Sequence, residues 1–241
     1  MYNVLDLFAG IGGFSLGLER TGGFRTAAFC EIDKKAQLVL RKHWPNTPIF
    51  DDVTTLTKGL LDERGISIDV ITGGFPCQDI SLAGKGAGLE GERSGLWFQF
   101  HRLIKEIQPR YAIIENVSAL RSRGLDAVLG GLAEIGYDAE WHCIPASAIG
   151  APHRRDRVWI VAYPQRSQER TQPRCWPIGR MGRKFEPFPW DRDWESALRD
   201  FRGVDDGLSY GVDRTDTLRN AVVPQIPQLI GEAILQAERV A

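Results

Sequence analysis

The sequence is poor in cysteine, histidine and methionine, and it contains no long apolar run. Its 4 cysteines show no Cys-x-x-Cys or Cys-x-x-His spacing, which argues against a zinc ribbon, a thioredoxin-type redox centre and a disulfide scaffold. No stretch approaches the roughly 20 apolar residues of a membrane span, and the first residues lack the basic segment of a secretory signal. We therefore expect a reduced, cytoplasmic protein with no metal site and no membrane contact.

Net charge is small as well, because 30 Lys+Arg face 31 Asp+Glu among 241 residues. The charge is unevenly distributed, since residues 154–184 hold nine Arg or Lys and two acids, whereas residues 185–216 hold nine acids and four Arg. The stretch from Pro164 to Trp190 is rich in proline and has no helical period, which predicts a loop-rich region. The basic block indicates a local nucleic-acid contact or, alternatively, an arginine-rich solvated surface.

Before Pro164, short β-branched or apolar runs alternate with longer segments of helical period, as in βαβ units around a mostly parallel sheet. We predict strands at 3–8, 25–31, 68–74, 110–116 and 157–163, with a further strand before Asp52. Apolar residues at helical spacing predict crossover helices from Leu96, with Ser94 as N-cap, and from Leu125. A last helix around 222–234 should pack back on the first domain. The predicted division is a catalytic and cofactor-binding domain at 1–163, a recognition region at 164–215 and a returning helix within 216–241.

A glycine-rich turn follows the first predicted strand and contains Gly10, Gly12 and Gly13. With Glu31 at the end of the next strand, it is typical of a mononucleotide-binding βαβ unit. Because Ser15 breaks the full Gly-x-Gly-x-x-Gly pattern, an adenosyl ligand without phosphates is favoured over a dinucleotide. A tight turn that binds no ligand is the alternative. Asp52 is predicted to lie at the same edge of the sheet.

Cys77 follows a predicted strand that ends in two glycines, a position typical of a nucleophile. Cys30 and Cys143 lie within strand patterns and are expected to be buried structural residues. No histidine is placed as an orienting base, so acyl transfer is not favoured. The glycine-rich and charged stretch 84–93 is predicted to be a loop that closes over a substrate, or an idle surface loop.

Five segments, in order, resemble motifs of the DNA (cytosine-5)-methyltransferase family. Residues 6–14 resemble its cofactor motif, 74–78 its Pro-Cys-Gln motif and 115–117 its Glu-Asn-Val motif. Residues 153–158 resemble its Gln-x-Arg-x-Arg motif, and 220–224 its Gly-Asn-x-Val motif. The resemblance implies an α/β, Rossmann-like fold that uses S-adenosylmethionine, with a mostly parallel sheet and a small loop-rich recognition domain.

The resemblance also implies roles for individual residues. Cys77, held by Pro76, would add to carbon-6 of cytosine, and Glu115 would donate a proton at ring nitrogen-3. Arg155 and Arg157 would hold the base carbonyl and Glu115. Phe8 would lie against the adenine, Glu31 on the ribose and Asp52 near the adenine amine. The full cofactor set is Phe8, Ala9, Gly10, Gly12, Gly13, Glu31, Ile32, Asp52, Val53, Asn220 and Val222. The expected DNA-binding residues are Gln78, Ser81, Arg93, Arg170, Arg174 and Arg180.

The function implied by this resemblance is sequence-specific methylation of a cytosine flipped out of double-stranded DNA. We expect a monomer in a bacterial or phage-infected cell, of restriction–modification, phage or solitary type, with a cognate restriction endonuclease as partner in the first case. An RNA cytosine-5 methyltransferase and a catalytically weak DNA-binding homologue are the alternatives. A nicotinamide-dependent oxidoreductase is disfavoured by Ser15.

Overall fold

A computed structural model describes residues 1–75, 95–149, 155–165 and 221–239 of the chain. Within these ranges the strands are β1 (Tyr2–Leu7), β2 (Phe24–Cys30), β3 (Ile49–Phe50), β4 (Val70–Gly73), β5 (Tyr111–Val117), β6 (Tyr137–Pro145) and β7 (Asp156–Pro164). The α-helices are α1 (Gly13–Glu19), α2 (Lys34–His43), α3 (Lys58–Glu63), α4 (Leu96–Ile107), α5 (Leu120–Arg123), α6 (Leu125–Glu134) and α7 (Gln225–Arg239), with a 3-10 turn at Ala146–Ile149.

The strands form one seven-stranded sheet in the order β3-β2-β1-β4-β5-β7-β6. The five strands from β3 to β5 are parallel, whereas β7 is antiparallel to both β5 and β6. The expectation of a mostly parallel α/β sheet is therefore confirmed. The chain crosses from β1 to β2 on one side and returns to β4 on the other, so the strand order reverses between β1 and β4. Ligands of open α/β sheets bind at such a reversal.

Apolar side chains cover both faces of the sheet, which is why the central strands contain nearly continuous apolar runs. On one face, Ala112 and Ile114 of β5 pack with residues of α4 and α6. On the opposite face, Tyr111 and Ile113 pack with residues of α1 and α7. The period-2 geometry of β5 thus joins two separate apolar layers into one domain core.

Helix α7 packs against α1 at very short range. A Cβ atom added at Gly17 would lie 2.1 Å from the carbonyl oxygen of Pro224, so only glycine permits this approach. Phe14, Ile226 and Ile230 fill the same apolar layer. Pro227 is tolerated because it lies in the first turn of α7, where a backbone N–H is not needed. The proposed division at 164–215 remains a prediction, since most of that stretch lies outside the described residues.

Two details differ from the sequence expectations. Cys30 is buried as expected, but Cys143 is exposed because β6 is the edge strand of the sheet. The N-cap of α4 is Gly95 rather than Ser94. In the described part of the chain, no helix is long and apolar enough to cross a membrane.

Candidate active site

The turn after β1 is held by hydrogen bonds from its own backbone amides. The Gly10 N–H donates to Glu31 Oε2 at 2.6 Å, and the Gly12 N–H donates to the Ala9 carbonyl at 2.8 Å. The Ala9 N–H in turn donates to the Cys30 carbonyl at 3.3 Å. Phe8, with φ 52°, enters the turn in a left-handed conformation that the sequence did not predict for a non-glycine residue.

Glu31 lies directly after β2 and faces this turn. Its second carboxylate oxygen accepts the Asp33 N–H at 2.8 Å, so one backbone donor holds each oxygen. The residue is 9% exposed, whereas its neighbour Ile32 is 75% exposed at the same edge. The result is a fixed acceptor pair next to an uncovered apolar side chain.

Asp52 and Val53 follow β3 and form the next part of the same edge. Asp52 Oδ1 accepts both the Thr54 N–H and the Thr54 hydroxyl at 2.8 Å. These bonds lower the pKa of Asp52, so the side chain stays an ionised acceptor. Val53 is buried, and its carbonyl oxygen accepts a hydrogen bond from Arg102 at 2.9 Å.

Val222 approaches the glycine turn from the C-terminal part of the chain. A Cβ atom at Gly13 would lie 2.4 Å from the Val222 carbonyl oxygen, so the two backbones touch. The structure therefore brings together the turn, Glu31 and Val222 from three distant parts of the sequence. Asn220, two residues before Val222, lies outside the described residues.

Glu115 is placed at the carboxyl end of β5, beside the end of β4. Its Oε1 forms an ion pair with Arg157 Nε of β7 at 2.8 Å. Its Oε2 would lie 2.8 Å from a Cβ atom at Gly74, so a side chain there would displace the carboxylate. Glycine at this position thus lets Glu115 lie against the strand that leads to Cys77.

Burial raises the pKa of Glu115, although Arg157 and Arg155 act in the opposite direction. Burial also lowers the pKa of Arg155, and the neighbouring Arg157 adds to that effect. Arg155 has a φ of 31°, an uncommon conformation for a residue with a side chain. Two guanidinium groups and one carboxyl thus share a partly desolvated site, in which the carboxyl holds a proton more readily than an exposed glutamate does.

Asn116 was part of a recognised motif, but sequence reasoning assigned it no role. Its side-chain Nδ2 donates to the Phe75 carbonyl at 2.8 Å, and its Oδ1 accepts the Val117 N–H at 2.8 Å. The residue is 3% exposed. It holds the carbonyl oxygen of Phe75, which stands two residues before Cys77 in the sequence.

Asp6 is a second residue whose role was missed. It is fully buried in β1, where its carboxylate accepts the hydroxyls of Ser15 and Thr72, each at 2.8 Å. The side chain that interrupts the dinucleotide pattern, Ser15, therefore serves to join α1 to the sheet. The only sequence signal for the bond between Asp6 and Ser15 is that Asp6 begins the cofactor motif and Ser15 directly follows it.

Several predicted site residues lie outside the described ranges. They are Pro76, Cys77, Gln78, Ser81, Arg93, Arg170, Arg174, Arg180 and Asn220. Among the described residues, no group of three His, Cys, Asp or Glu side chains is arranged to hold a metal ion.

Comparison with known proteins adds independent information about this arrangement. The family model described as C-5 cytosine-specific DNA methylase matches residues 2–197. The Type II methyltransferase M.CviJI of Paramecium bursaria Chlorella virus IL3A is 40% identical over 162 residues, which are 67% of this chain and 43% of that protein. The chain thus spans less than half the length of this curated relative.

Solved structures show the same fold. A candidate DNA modification methyltransferase encoded within an E. coli prophage is 30% identical with a TM-score of 0.55, covering 68% of this chain and 47% of that one. The S. pombe Dnmt2 methyltransferase has a TM-score of 0.58 at 20% identity, covering 70% and 53% of the two chains. The second likeness shows the fold alone.

Proposed function

The chain belongs to the C-5 cytosine-specific DNA methylase family, and from this premise we propose that it methylates carbon-5 of cytosine in double-stranded DNA. The observation that carries the proposal is the position of Glu115. A largely buried carboxyl group with a raised pKa lies near the end of β5, paired with Arg157 and in contact with the strand that leads to Cys77. A carboxyl group in this position is suited to give a proton to a ring nitrogen.

Cytosine needs such activation because carbon-5 is a weak nucleophile. We propose that the Cys77 thiolate forms a bond to carbon-6 while Glu115 gives a proton to nitrogen-3, so that negative charge does not build up in the ring. Carbon-5 then has enamine character. After methylation, water would take the proton on carbon-5 as the carbon–sulfur bond breaks and releases the Cys77 thiolate. Nitrogen-3 would then return its proton to the Glu115 carboxylate, which restores the neutral aromatic ring.

Arg157 and Arg155 have separate roles in this proposal. Arg157 holds one Glu115 oxygen at 2.8 Å, which leaves the other oxygen beside Gly74 to carry the proton in this proposal. Arg155 is the stronger candidate to hold the carbonyl oxygen of the base through its planar guanidinium, because Arg157 is already paired with Glu115.

The residues around the glycine turn fit an adenosyl methyl donor. Glu31 and Asp52 are acceptors suited to ribose hydroxyls and to an amine, and Ile32 offers an exposed apolar surface for a base. The Gly10 amide is already bonded to Glu31, which disfavours a pyrophosphate that would need such donors. S-adenosylmethionine, when bound, supplies a sulfonium methyl group to the activated carbon.

We place the donor between Phe8, Ala9, the glycines of the turn, Glu31, Ile32, Asp52, Val53, Asn220 and Val222. Recognition of the DNA is assigned to Gln78, Ser81, Arg93, Arg170, Arg174 and Arg180. A base that is stacked inside the duplex cannot reach Cys77. The target cytosine is therefore proposed to be flipped out of the duplex. We also propose a monomer in the cytoplasm. A restriction endonuclease is the proposed partner, since the curated relatives include Type II methyltransferases.

The test is transfer of labelled methyl from S-adenosylmethionine to mixed-sequence duplex DNA and, in parallel, to total RNA. Cys77→Ala removes the proposed nucleophile, and Cys143→Ala is the matched control because that thiol is exposed on the edge strand. Label in DNA that requires Cys77 but not Cys143 would support the proposal.

Three other results would contradict it. Label in RNA alone would make the chain an RNA methyltransferase on the same scaffold. DNA retention without label would favour a binding protein that has lost turnover. Label that persists in Cys77→Ala would remove the covalent step. Donor affinity of Cys77→Ala should match wild type, which separates loss of chemistry from loss of folding.

A further inference from the structure

Arg102 of α4 bonds to the turn that carries Asp52 and Val53. A single nitrogen, Nη2, donates to the carbonyl oxygens of Val53 at 2.9 Å and Leu56 at 2.8 Å. These are charge-assisted bonds, which are about twice as strong as neutral ones. They join two parts of the chain that are 49 and 46 residues apart in sequence.

The guanidinium is held in this orientation by its own helix. Nε donates to Gln99 Oε1 at 2.9 Å, and Nη1 donates to Glu106 Oε1 at 2.7 Å. Glu106 also accepts the Lys58 N–H through its other oxygen at 3.2 Å. One half-buried face of α4 thus holds the segment from Val53 to Lys58 at both ends.

The same helix contacts the other side of the proposed donor pocket and the chain before Cys77. The Phe100 ring stacks on Phe8 with centroids 6.4 Å apart, and it packs edge-on against Phe75 at 6.5 Å. Helix α4 is therefore a fixed reference for the adenine side of the pocket. Arg102 is the link from this helix to Asp52.

We propose that Arg102 is a positioning residue that sets the selectivity of the donor pocket for a 6-aminopurine over a 6-oxopurine. The inference rests on the proposed function, in which Asp52 faces the adenine amine. Ionised Asp52 can accept from an amino group but repels a carbonyl oxygen. Discrimination between the two depends on how firmly the Asp52 turn is held, because a turn that moves can relieve the repulsion.

The experiment compares the dissociation constants of S-adenosylhomocysteine and its deaminated analogue, S-inosylhomocysteine, by calorimetry with the full-length chain. Arg102→Met keeps an unbranched side chain but loses every donor. Lys105→Met, on the same helix and exposed, is the matched control for loss of one positive charge. Thermal melting of each variant accompanies the binding data.

Arg102→Met is expected to weaken binding of S-adenosylhomocysteine about tenfold. This is the size of effect expected when one charge-assisted hydrogen bond, from the purine amine to Asp52, is lost. Binding of the inosyl analogue should change much less, so the selectivity ratio falls. Lys105→Met should keep both constants. Arg102→Lys, which retains the charge but not the planar donor geometry, should recover only part of the ratio.

An unchanged ratio in Arg102→Met would overturn the inference. If both dissociation constants rose by the same factor, the unchanged ratio would indicate general destabilisation rather than a loss of selectivity. Failure of the proposed function is distinguishable, because wild-type protein would then bind neither ligand or would bind both equally. A selective wild type with an equally selective Arg102→Met variant would leave the proposed function intact and refute the role of Arg102 alone.

Discussion

Replacing Asp6 with asparagine should change how the stability of the protein depends on pH. The carboxyl is fully buried in β1, and burial raises its pKa from 3.8 to about 7, although hydrogen bonds from Ser15 and Thr72 oppose the shift. Asparagine has nearly the same shape and no charge. It therefore removes the titration while keeping most of the packing.

The direction in which stability changes with pH follows from the pKa of Asp6 in the unfolded chain, 3.8, and in the folded chain, about 7. Below about pH 4 the carboxyl is protonated in both the folded and the unfolded chain. Between about pH 4 and pH 7 the unfolded chain loses the proton while the folded chain keeps it, so the free energy of unfolding falls as pH rises. Above pH 7 both states are ionised and the contribution becomes constant.

The size of the effect follows from the same shift. Each pKa unit corresponds to about 1.4 kcal/mol, and integration from pH 4.5 to pH 8 gives a loss of about 3 kcal/mol for the wild type. Asp6→Asn lacks this loss. The variant should gain about 3 kcal/mol relative to wild type over that interval, whatever its offset at pH 4.5.

Urea denaturation followed by circular dichroism at pH 4.5, 6 and 8 measures this difference. Asp138→Asn is the control, because Asp138 is an exposed residue on the edge strand β6. Its stability should follow that of the wild type at each pH. A stability difference between Asp6→Asn and wild type that is the same at pH 4.5 and pH 8 would refute the reasoning.

Three further predictions concern packing, the catalytic segment and the donor site. Gly17→Ala would bring a Cβ atom to 2.1 Å from the Pro224 carbonyl and should destabilise the fold by about 2 kcal/mol or more, measured by denaturation. Gly130→Ala, with no atom within 4 Å, should be neutral or stabilise by up to about 1 kcal/mol, and equal effects would disprove the close helix contact. Asn116→Ala leaves the buried Phe75 carbonyl without its hydrogen-bond donor and should lower kcat about tenfold or more, with no change in affinity for S-adenosylmethionine. A parallel loss of kcat and of this affinity would indicate unfolding. Glu31→Gln should weaken binding of S-adenosylhomocysteine about tenfold by calorimetry, and an unchanged dissociation constant would exclude the ribose contact.

The central strands and the main crossover helices could be predicted because periodicity is a local property. All five strands that were given bounds form within two residues of those bounds. The exposure of Cys143 could not be predicted, because a strand pattern does not reveal whether the strand lies at the centre or the edge of a sheet. Among the strands that the structure describes, β6 is paired on one side only, by β7, and this follows from the order of the strands in the sheet.

The candidate site was predictable to the extent that its residues stand at strand ends. Glu31 and Asp52 follow parallel strands, and Glu115 lies near the carboxyl end of a third. Parallel strands place their carboxyl ends at one edge of the sheet. The roles of Asn116 and Arg102 were not predictable, since each acts through a backbone carbonyl 41 or more residues away. A hydrogen bond to a backbone carbonyl oxygen can be accepted by any residue type, so the identity of the accepting residue gives no signal in the sequence.

The sequence by itself determined the type of fold and the chemical groups available to it, because motif spacing and hydrophobic periodicity are local properties of the sequence. Only the tertiary structure decided which groups meet: Arg157 with Glu115, Asp6 with Thr72, and the glycine turn with Val222. It also decided the raised pKa of Glu115. Burial and proximity depend on the order of the strands in space, and no local stretch of sequence encodes that order.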